Sequence, residues 1–213
     1  SFDYGPWRFL PEVDPGFTAA YFDQTGLYAY GRQAEALAWN LSRLGGALTL
    51  VASADALDAA FAAYPSLYEQ AMADAFFARL GLMRSGSDDD TELVVGLLRW
   101  MEKTRVPFDR VLYDWFCGAA SESRAAASPL ASHYREADFA PVRAALCAAR
   151  PANPERLSHA YFAQGAPCAL LIDEVEALWA PIAASDDWGP LAAKLARIGE
   201  MREAYGFAAS AFA

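Results

Sequence analysis

The sequence predicts a mainly α-helical protein. Apolar residues recur at spacings of three and four through most of the chain, Pro, Gly and Asp fall where helices start and stop, and clean two-residue alternation is missing apart from a short piece near Thr49–Val51. The first thirty-odd residues are different. Pro6, Pro11, Pro15 and Gly16 punctuate an extended, turn-rich stretch carrying Trp7, Phe9, Phe17, Tyr21, Phe22, Tyr28 and Tyr30. So many rings are expected as core anchors, because each buries a large apolar area. The division expected is therefore residues 1–33 as the extended stretch and 34–213 as a helical body.

From Ala34 the pattern turns helical, with Leu37, Leu41 and Leu44 on one face and Trp39 on its flank, ending near Gly45-Gly46. A second helix is expected over Ala54–Phe61 and a third over Ser66–Leu80, with Pro65 as the break between them. Ser85-Gly86-Ser87-Asp88-Asp89-Asp90 reads as a helix cap rather than a metal loop. Asp89 and Glu92 have capping-box spacing ahead of Leu93, Val94, Leu97, Leu98 and Met101, and no calcium-loop spacing follows. Pro107-Phe108 opens a helix with Val111, Leu112, Trp115 and Phe116, running to Gly118.

Ser121–Ser132, rich in Ala and Ser, is expected as a mobile connection. Phe139–Ala149 and Pro154–Phe162 follow as short helices, the second capped by Asn153 with Pro154 in its first turn. Leu170, Leu171, Val175, Leu178, Trp179 and Ile182 form one stripe of a packed surface helix that Pro181 kinks or ends, with Asp173, Glu174 and Glu176 on its solvated side. Asp186-Asp187-Trp188-Gly189-Pro190 starts a last helix through Leu191, Leu195, Ile198 and Met201.

With 17 Lys and Arg against 27 Asp and Glu, the net charge of −10 argues against a nucleic-acid or anionic-membrane partner, since both demand clustered basic residues. No uncharged apolar run is long enough to span a bilayer. Cys117, Cys147 and Cys168 have neither disulfide-framework nor zinc-site spacing, so they are expected as buried, reduced thiols in a cytoplasmic, bacterial protein. His133 and His159 lack a second metal-type ligand at helical spacing, and no nucleophile elbow, phosphate-binding loop or dinucleotide fingerprint occurs.

One triplet carries chemistry. Asp3-Tyr4-Gly5 has the shape of the Asp-Phe-Gly element of protein kinases, whose carboxylate holds the metal bridging nucleotide phosphates. Together with Asp14-Pro15-Gly16-Phe17, Gly31-Arg32-Gln33 and Trp39-Asn40-Leu41, it makes the stretch Phe2–Leu44 resemble the segment after the catalytic loop in the selenoprotein O (YdiU-like) family. Asn153-Pro154, Tyr161-Phe162-Ala163-Gln164 and Asp186-Asp187-Trp188 are later fragments similar to that family. Ala34 stands where members commonly carry proline, and the sequence ends in Ser210-Ala211-Phe212-Ala213 rather than in the cysteine or selenocysteine motif of many members.

The resemblance implies the helical C-terminal lobe of a protein-kinase-like fold, with residues 1–33 as a metal-binding, activation-segment-like stretch. It implies a pseudokinase-like adenylyltransferase that moves AMP from ATP to protein hydroxyl groups. Asp3 is then a ligand of Mg2+ or Mn2+, and Gly5 lets the chain turn beside it. The glycine-rich loop, the Lys–Glu pair and the catalytic loop would precede Ser1, so the partners of the complete protein are ATP and protein substrates and this piece is inactive alone. Arg8 and Arg32 could reach phosphates but are expected in structural ion pairs. The competing reading is a non-catalytic helical interaction module in which Asp3 only caps a turn.

Overall fold

The computed structural model describes residues 8–207. These residues form α1 (Gln33–Leu48), α2 (Ala54–Ala62), α3 (Tyr64–Leu80), α4 (Asp88–Thr104), α5 (Phe108–Asp114), α6 (Glu122–Ala127), α7 (Ala140–Ala148), α8 (Ile172–Ser185) and α9 (Gly189–Tyr205), joined by turns and short 3-10 segments. Among the described residues β pairing is confined to two isolated bridges, Glu12 with Pro107 and Leu82 with Pro151. Thr49–Val51 is a turn, not a strand.

The chain divides into two compact units. Among the described residues, one holds Arg8 and residues 14–75, the other residues 9–13 and 76–207. In the first, α1 runs through Gly45 and Gly46 to Leu48, two residues beyond the expected stop at that glycine pair. A pair of glycines weakens a helix but supplies no stop unless the backbone turns left-handed. Pro65 is likewise not the break. It occupies the first turn of α3, where proline's missing N–H has no helical partner to lose, and the chain turns two residues earlier at Ala63. The Tyr64 hydroxyl donates to the Ala34 carbonyl at 2.8 Å, tying the start of α3 to the start of α1.

The second unit has a true core, and α5 is its centre. Val111, Leu112, Tyr113, Asp114, Trp115, Phe116 and Cys117 are all at most 2% exposed, so this segment is buried all round. On one side Trp115 meets Tyr134 and Phe139, with Trp100 of α4 packed at 4.5 Å from the Phe139 ring. On the other, Tyr113 and Phe116 join Tyr161, Phe162 and Tyr205, with Phe116 stacked on Phe162 at 4.6 Å. Such offset and edge-on ring pairs add roughly 0.5–1.5 kcal/mol each beyond burial.

Burying α5 on every side also buries a charge. Asp114 Oδ1 lies 2.9 Å from Arg110 Nε, while Oδ2 accepts from the Tyr134 hydroxyl at 2.9 Å and from the Ser128 hydroxyl. Arg110 also donates to the Gly165 carbonyl at 2.6 Å. Burial, and then the Asp114 charge, push the Tyr134 hydroxyl far above its ordinary pKa and keep it a donor. Ser121 and Ser128 are buried as well. Ser121–Ser132 is therefore no loose connection: it folds into α6 and a turn that complete this network.

The helix at Pro107 ends at Asp114, not Gly118. The chain must turn so that the Cys117 N–H can reach the Leu80 carbonyl at the end of α3, at 2.7 Å, and both Cys117 and Gly118 take left-handed backbone. Gly118 leaves no room for a side chain, since a Cβ there would lie 2.3 Å from the Leu146 carbonyl oxygen. Burial raises the Cys117 thiol to about 11. Cys168 is buried too, whereas Cys147 is only half-buried.

The acidic run before α4 does form a cap, but through Asp90 rather than the Asp89–Glu92 pair. Asp90 accepts from the N–H groups of Ser85 at 3.0 Å and Gly86 at 2.9 Å, from the Ser85 hydroxyl at 2.8 Å and from Arg84 at 3.2 Å. Burial opposes its charge, but these bonds together outweigh it and bring the carboxyl down to about 2. Pro154–Phe162 is a pair of 3-10 turns, Pro154–Ser158 and Ala160–Ala163; Asn153 makes no side-chain cap, while His159 Nδ1 accepts the Tyr161 N–H at 3.1 Å.

α8 runs four residues past Pro181 and begins only at Ile172, so Leu170 and Leu171 precede it. Val175, Leu178 and Ile182 are half-buried, but Trp179 is exposed. The buried partner at this end is Lys194 of α9, whose Nζ bonds Glu174 at 2.6 Å and the Ala169 carbonyl, so Glu174 is an ion-pair partner rather than part of a solvated face. Asp187 Oδ1 accepts the Gly189 N–H at 2.9 Å where α9 begins.

Two outcomes follow. Replacing Asp114 with Ala leaves Arg110 buried against no carboxylate and should cost about 3–5 kcal/mol; an unchanged chemical-denaturation midpoint would show that the network adds nothing. Asp90→Ala should cost about 1–3 kcal/mol near neutral pH. Because the folded Asp90 pKa is depressed, its stabilisation is present above the ordinary carboxylate pKa and lost as pH falls towards about 2. The difference between parent and variant, followed by denaturation at stepped pH, should therefore shrink over that window.

Candidate functional site

Asp3 and Gly5, on which the metal reading rests, lie outside the described residues, as does Trp7. The stretch that follows them is described in two parts. Residues 9–13 belong to the second unit, where the Pro11 carbonyl accepts the Phe108 N–H at 3.0 Å and Glu12 pairs with Arg105 at 2.7 Å. This fixes an extended strand-like piece at the start of α5.

Residues 14–32 belong to the first unit and form a closed loop. Asp14 Oδ1 accepts the Gly16 N–H at 2.9 Å, an Asx turn that reverses the chain. At the base, the Tyr30 N–H reaches the Phe17 carbonyl and the Gly31 N–H reaches the Pro15 carbonyl, both at 2.8 Å. A Cβ at position 31 would stand 2.8 Å from Pro15 Cβ and 2.9 Å from its carbonyl oxygen, so only glycine lets the two limbs approach this closely.

The tip is held by Asp23. Its carboxylate accepts the Tyr28 N–H at 2.7 Å, the Leu27 N–H at 2.9 Å and the Thr25 hydroxyl at 3.3 Å. The bond from Tyr28 leads in lowering its pKa. Sequence reasoning missed Asp23, although Asp-x-Thr-Gly is a recognisable Asx-turn pattern. Arg32 meets Glu35 with two contacts, at 3.0 and 3.2 Å, which is the structural ion pair expected of it.

The rings of this loop are not core anchors. Tyr21 is 90% exposed, and Phe22 and Tyr28 are largely exposed, while Phe17 and Tyr30 are half-buried; Phe9, in the second unit, is largely exposed too. Backbone and carboxylate hydrogen bonds hold the loop shape, so its aromatics are free to face outward. Trp39 on α1 is also exposed, with the Arg43 guanidinium 5.3 Å over its ring.

The later fragments singled out in the sequence have structural work. Tyr161 and Phe162 sit in the aromatic core, and the Gln164 carbonyl accepts the Tyr113 hydroxyl at 2.6 Å. The Asn153 carbonyl faces the Cys117 thiol at 3.8 Å. Asp186 accepts the Trp188 indole N–H at 2.8 Å in the turn before α9. None of them is brought into a cluster that could do chemistry. Among the described residues no group of three or more His, Cys, Asp or Glu side chains could hold a metal ion, and no helix is long and apolar enough to cross a membrane.

Comparison with known proteins places this arrangement. The family model described as protein adenylyltransferase SelO matches residues 1–198. A protein nucleotidyltransferase YdiU from Gloeobacter violaceus is 30% identical over 218 aligned residues, covering 98% of this chain and 44% of that protein. The corresponding protein of Synechococcus elongatus is 31% identical, over 92% of this chain and 43% of the relative, and that of Myxococcus xanthus is 40% identical over 108 residues, 51% of this chain and 22% of the relative. The chain thus spans less than half the length of these curated relatives. With almost its whole length matched, from the Asp-Tyr-Gly triplet into α9, the chain belongs to the protein adenylyltransferase SelO family.

Proposed function

We propose that this chain is the C-terminal part of a protein adenylyltransferase that transfers AMP from ATP to hydroxyl side chains of protein substrates, in the bacterial cytoplasm. The observation that carries this reading is the family match, which takes in Asp3-Tyr4-Gly5 together with the loop closed by Gly31. In the reaction a substrate hydroxyl oxygen bonds to the α-phosphorus, the bond from that phosphorus to the bridging oxygen breaks, and pyrophosphate leaves. The hydroxyl proton goes to a base that this chain does not supply.

A hard divalent cation, Mg2+ or Mn2+, would neutralise phosphate charge when bound. The Asp3 carboxylate has the right oxygen chemistry for one of its ligands. Asp90, in the first turn of α4, does not compete for that role, since four protein donors already saturate its carboxylate. As the described residues offer no ligand cluster, the remaining ligands would come from elsewhere in the complete protein.

In this reading the helical body is the C-terminal lobe of a protein-kinase-like fold and residues 1–33 are its activation-segment-like stretch. Asp23 and Gly31 keep residues 14–32 of that stretch in one shape, which limits the ordering cost when a substrate or nucleotide arrives. The chain by itself is expected to be inactive.

The test uses the complete reading frame with Mg2+ or Mn2+ and ATP labelled on the α- or the γ-phosphate, comparing the parent with Asp3→Ala. Protein should acquire α-label only, and Asp3→Ala should lower that transfer by about 100-fold or more, the scale of losing a main electrostatic contributor. Transfer of γ-label would instead mean a kinase. Absence of both label and ATP binding would point to the helical interaction module.

A further inference from the structure

The two units differ in how they could stand alone. Among the described residues of the first unit, the buried apolar ones are Ala20, Ala29 and Ala73. A folding unit of this size ordinarily encloses several large side chains, as the second does with Tyr113, Trp115, Phe116 and Tyr161. Here the large apolar residues face outward. α1 and α2 contain no buried residue at all, and Leu37, Trp39, Leu44, Leu48 and Phe61 are exposed, with Leu50 and Val51 beyond them.

The exposed face has a shape as well as a composition. Leu41, Leu44, Leu48, Leu57, Phe61 and Tyr64 line a groove of about 340 Å³ along the α1–α2 pair. Gly45 and Gly46 form part of its wall, and a Cβ at either would meet nothing within 4 Å. Each costs the helix roughly 1 kcal/mol relative to alanine. Their return is bare backbone that another segment can approach closely. An apolar surface of this kind marks an interaction site rather than a solvated face.

We propose that the apolar face of α1 and α2 is where the rest of the complete protein docks. This rests on the reading above that the chain works within a full-length family member. The choice of occupant follows from length: the Gloeobacter violaceus relative aligns with 98% of this chain yet leaves more than half of itself unmatched. The seam keeps the unit that carries the loop closed by Gly31 attached to the rest of the complete protein. Leu44, Leu48 and Phe61 are its apolar anchors, and the two glycines set the closeness of approach.

The experiment is hydroxyl-radical footprinting of the complete protein, without nucleotide, at a concentration where light scattering reports a monomer. Phe61 lines the groove and is 43% exposed here; Trp179 at 60% and Trp188 at 53% are internal references once each rate is divided by the intrinsic reactivity of its residue type. Phe61, so normalised, should be modified about fivefold or more slowly than either, as a ring taken from partly exposed to buried. Equal rates overturn the proposal. Protection that develops only as a dimer forms overturns it too, in favour of a second copy as occupant. The AMP-transfer assay separates the readings: protected Phe61 without α-label removes the activity and keeps the seam, and α-label with unprotected Phe61 does the reverse.

Discussion

The second unit depends on a carboxylate that has no water. α5 is buried all round, and Asp114 at its end would be untenable without Arg110 one turn back, the hydroxyls of Ser128 and Tyr134, and the Gly165 carbonyl that shares the guanidinium. Losing one partner leaves a charge or a donor stranded in a low-dielectric interior, where it costs far more than at the surface. Elements distant in sequence are therefore committed together: the turn at Ser128, the 3-10 segment at Tyr134 and the loop at Gly165 must all arrive for α5 to be buried. Aromatic packing contributes much of the stabilisation, while the polar network fixes which arrangement of those rings is allowed.

The first unit is organised by the opposite logic. Its loop from Asp14 to Arg32 is held by local hydrogen bonds, through Asp14, Asp23 and the Pro15–Gly31 approach, with little apolar burial. Such a loop keeps its shape without a core. Its helices have no comparable local device. Their exposed leucines and aromatics account for themselves only as one side of a contact.

Helix existence was legible in the sequence because it depends on local periodicity, and the helical body from Gln33 to Tyr205 follows that pattern closely. Termini were harder. Pro65 was expected to break a helix and instead opens α3, and Gly45-Gly46 was expected to stop α1 and does not, because either residue type reads two ways until the neighbouring turn is known. Asp90 outcompeted the Asp89–Glu92 box since only its carboxylate folds back onto the Ser85 and Gly86 N–H groups. Ser121–Ser132 looked featureless because its value lies in two hydroxyls aimed at partners that periodicity cannot see, Ser121 at the Phe116 carbonyl and Ser128 at Asp114. Lys194 was invisible for the same reason: a buried lysine is rare, and the Ala169 carbonyl and Glu174 that admit it belong to another element.

The candidate site was legible to a different degree. Residues 2–44 pointed to the family because their chemistry is written in short motifs, yet the structure assigns those motifs different kinds of work. Gly31 has a reason within this chain, the close approach to Pro15, and Arg32 has another, Glu35. Tyr161, Phe162 and Gln164 serve the core of the second unit. Trp39 has only Arg43 across its face and is otherwise open to solvent, and the Tyr21 and Phe22 rings touch each other edge-on at 5.4 Å while facing outward. An aromatic side chain that gains so little inside its own chain gains its free energy on contact with something else. The intramolecular contacts thus sort the described motif residues into those tied into this chain's own packing and hydrogen bonding, Gly31, Arg32, Tyr161, Phe162 and Gln164, and those left facing outward, Tyr21, Phe22 and Trp39, whose rings stay largely exposed.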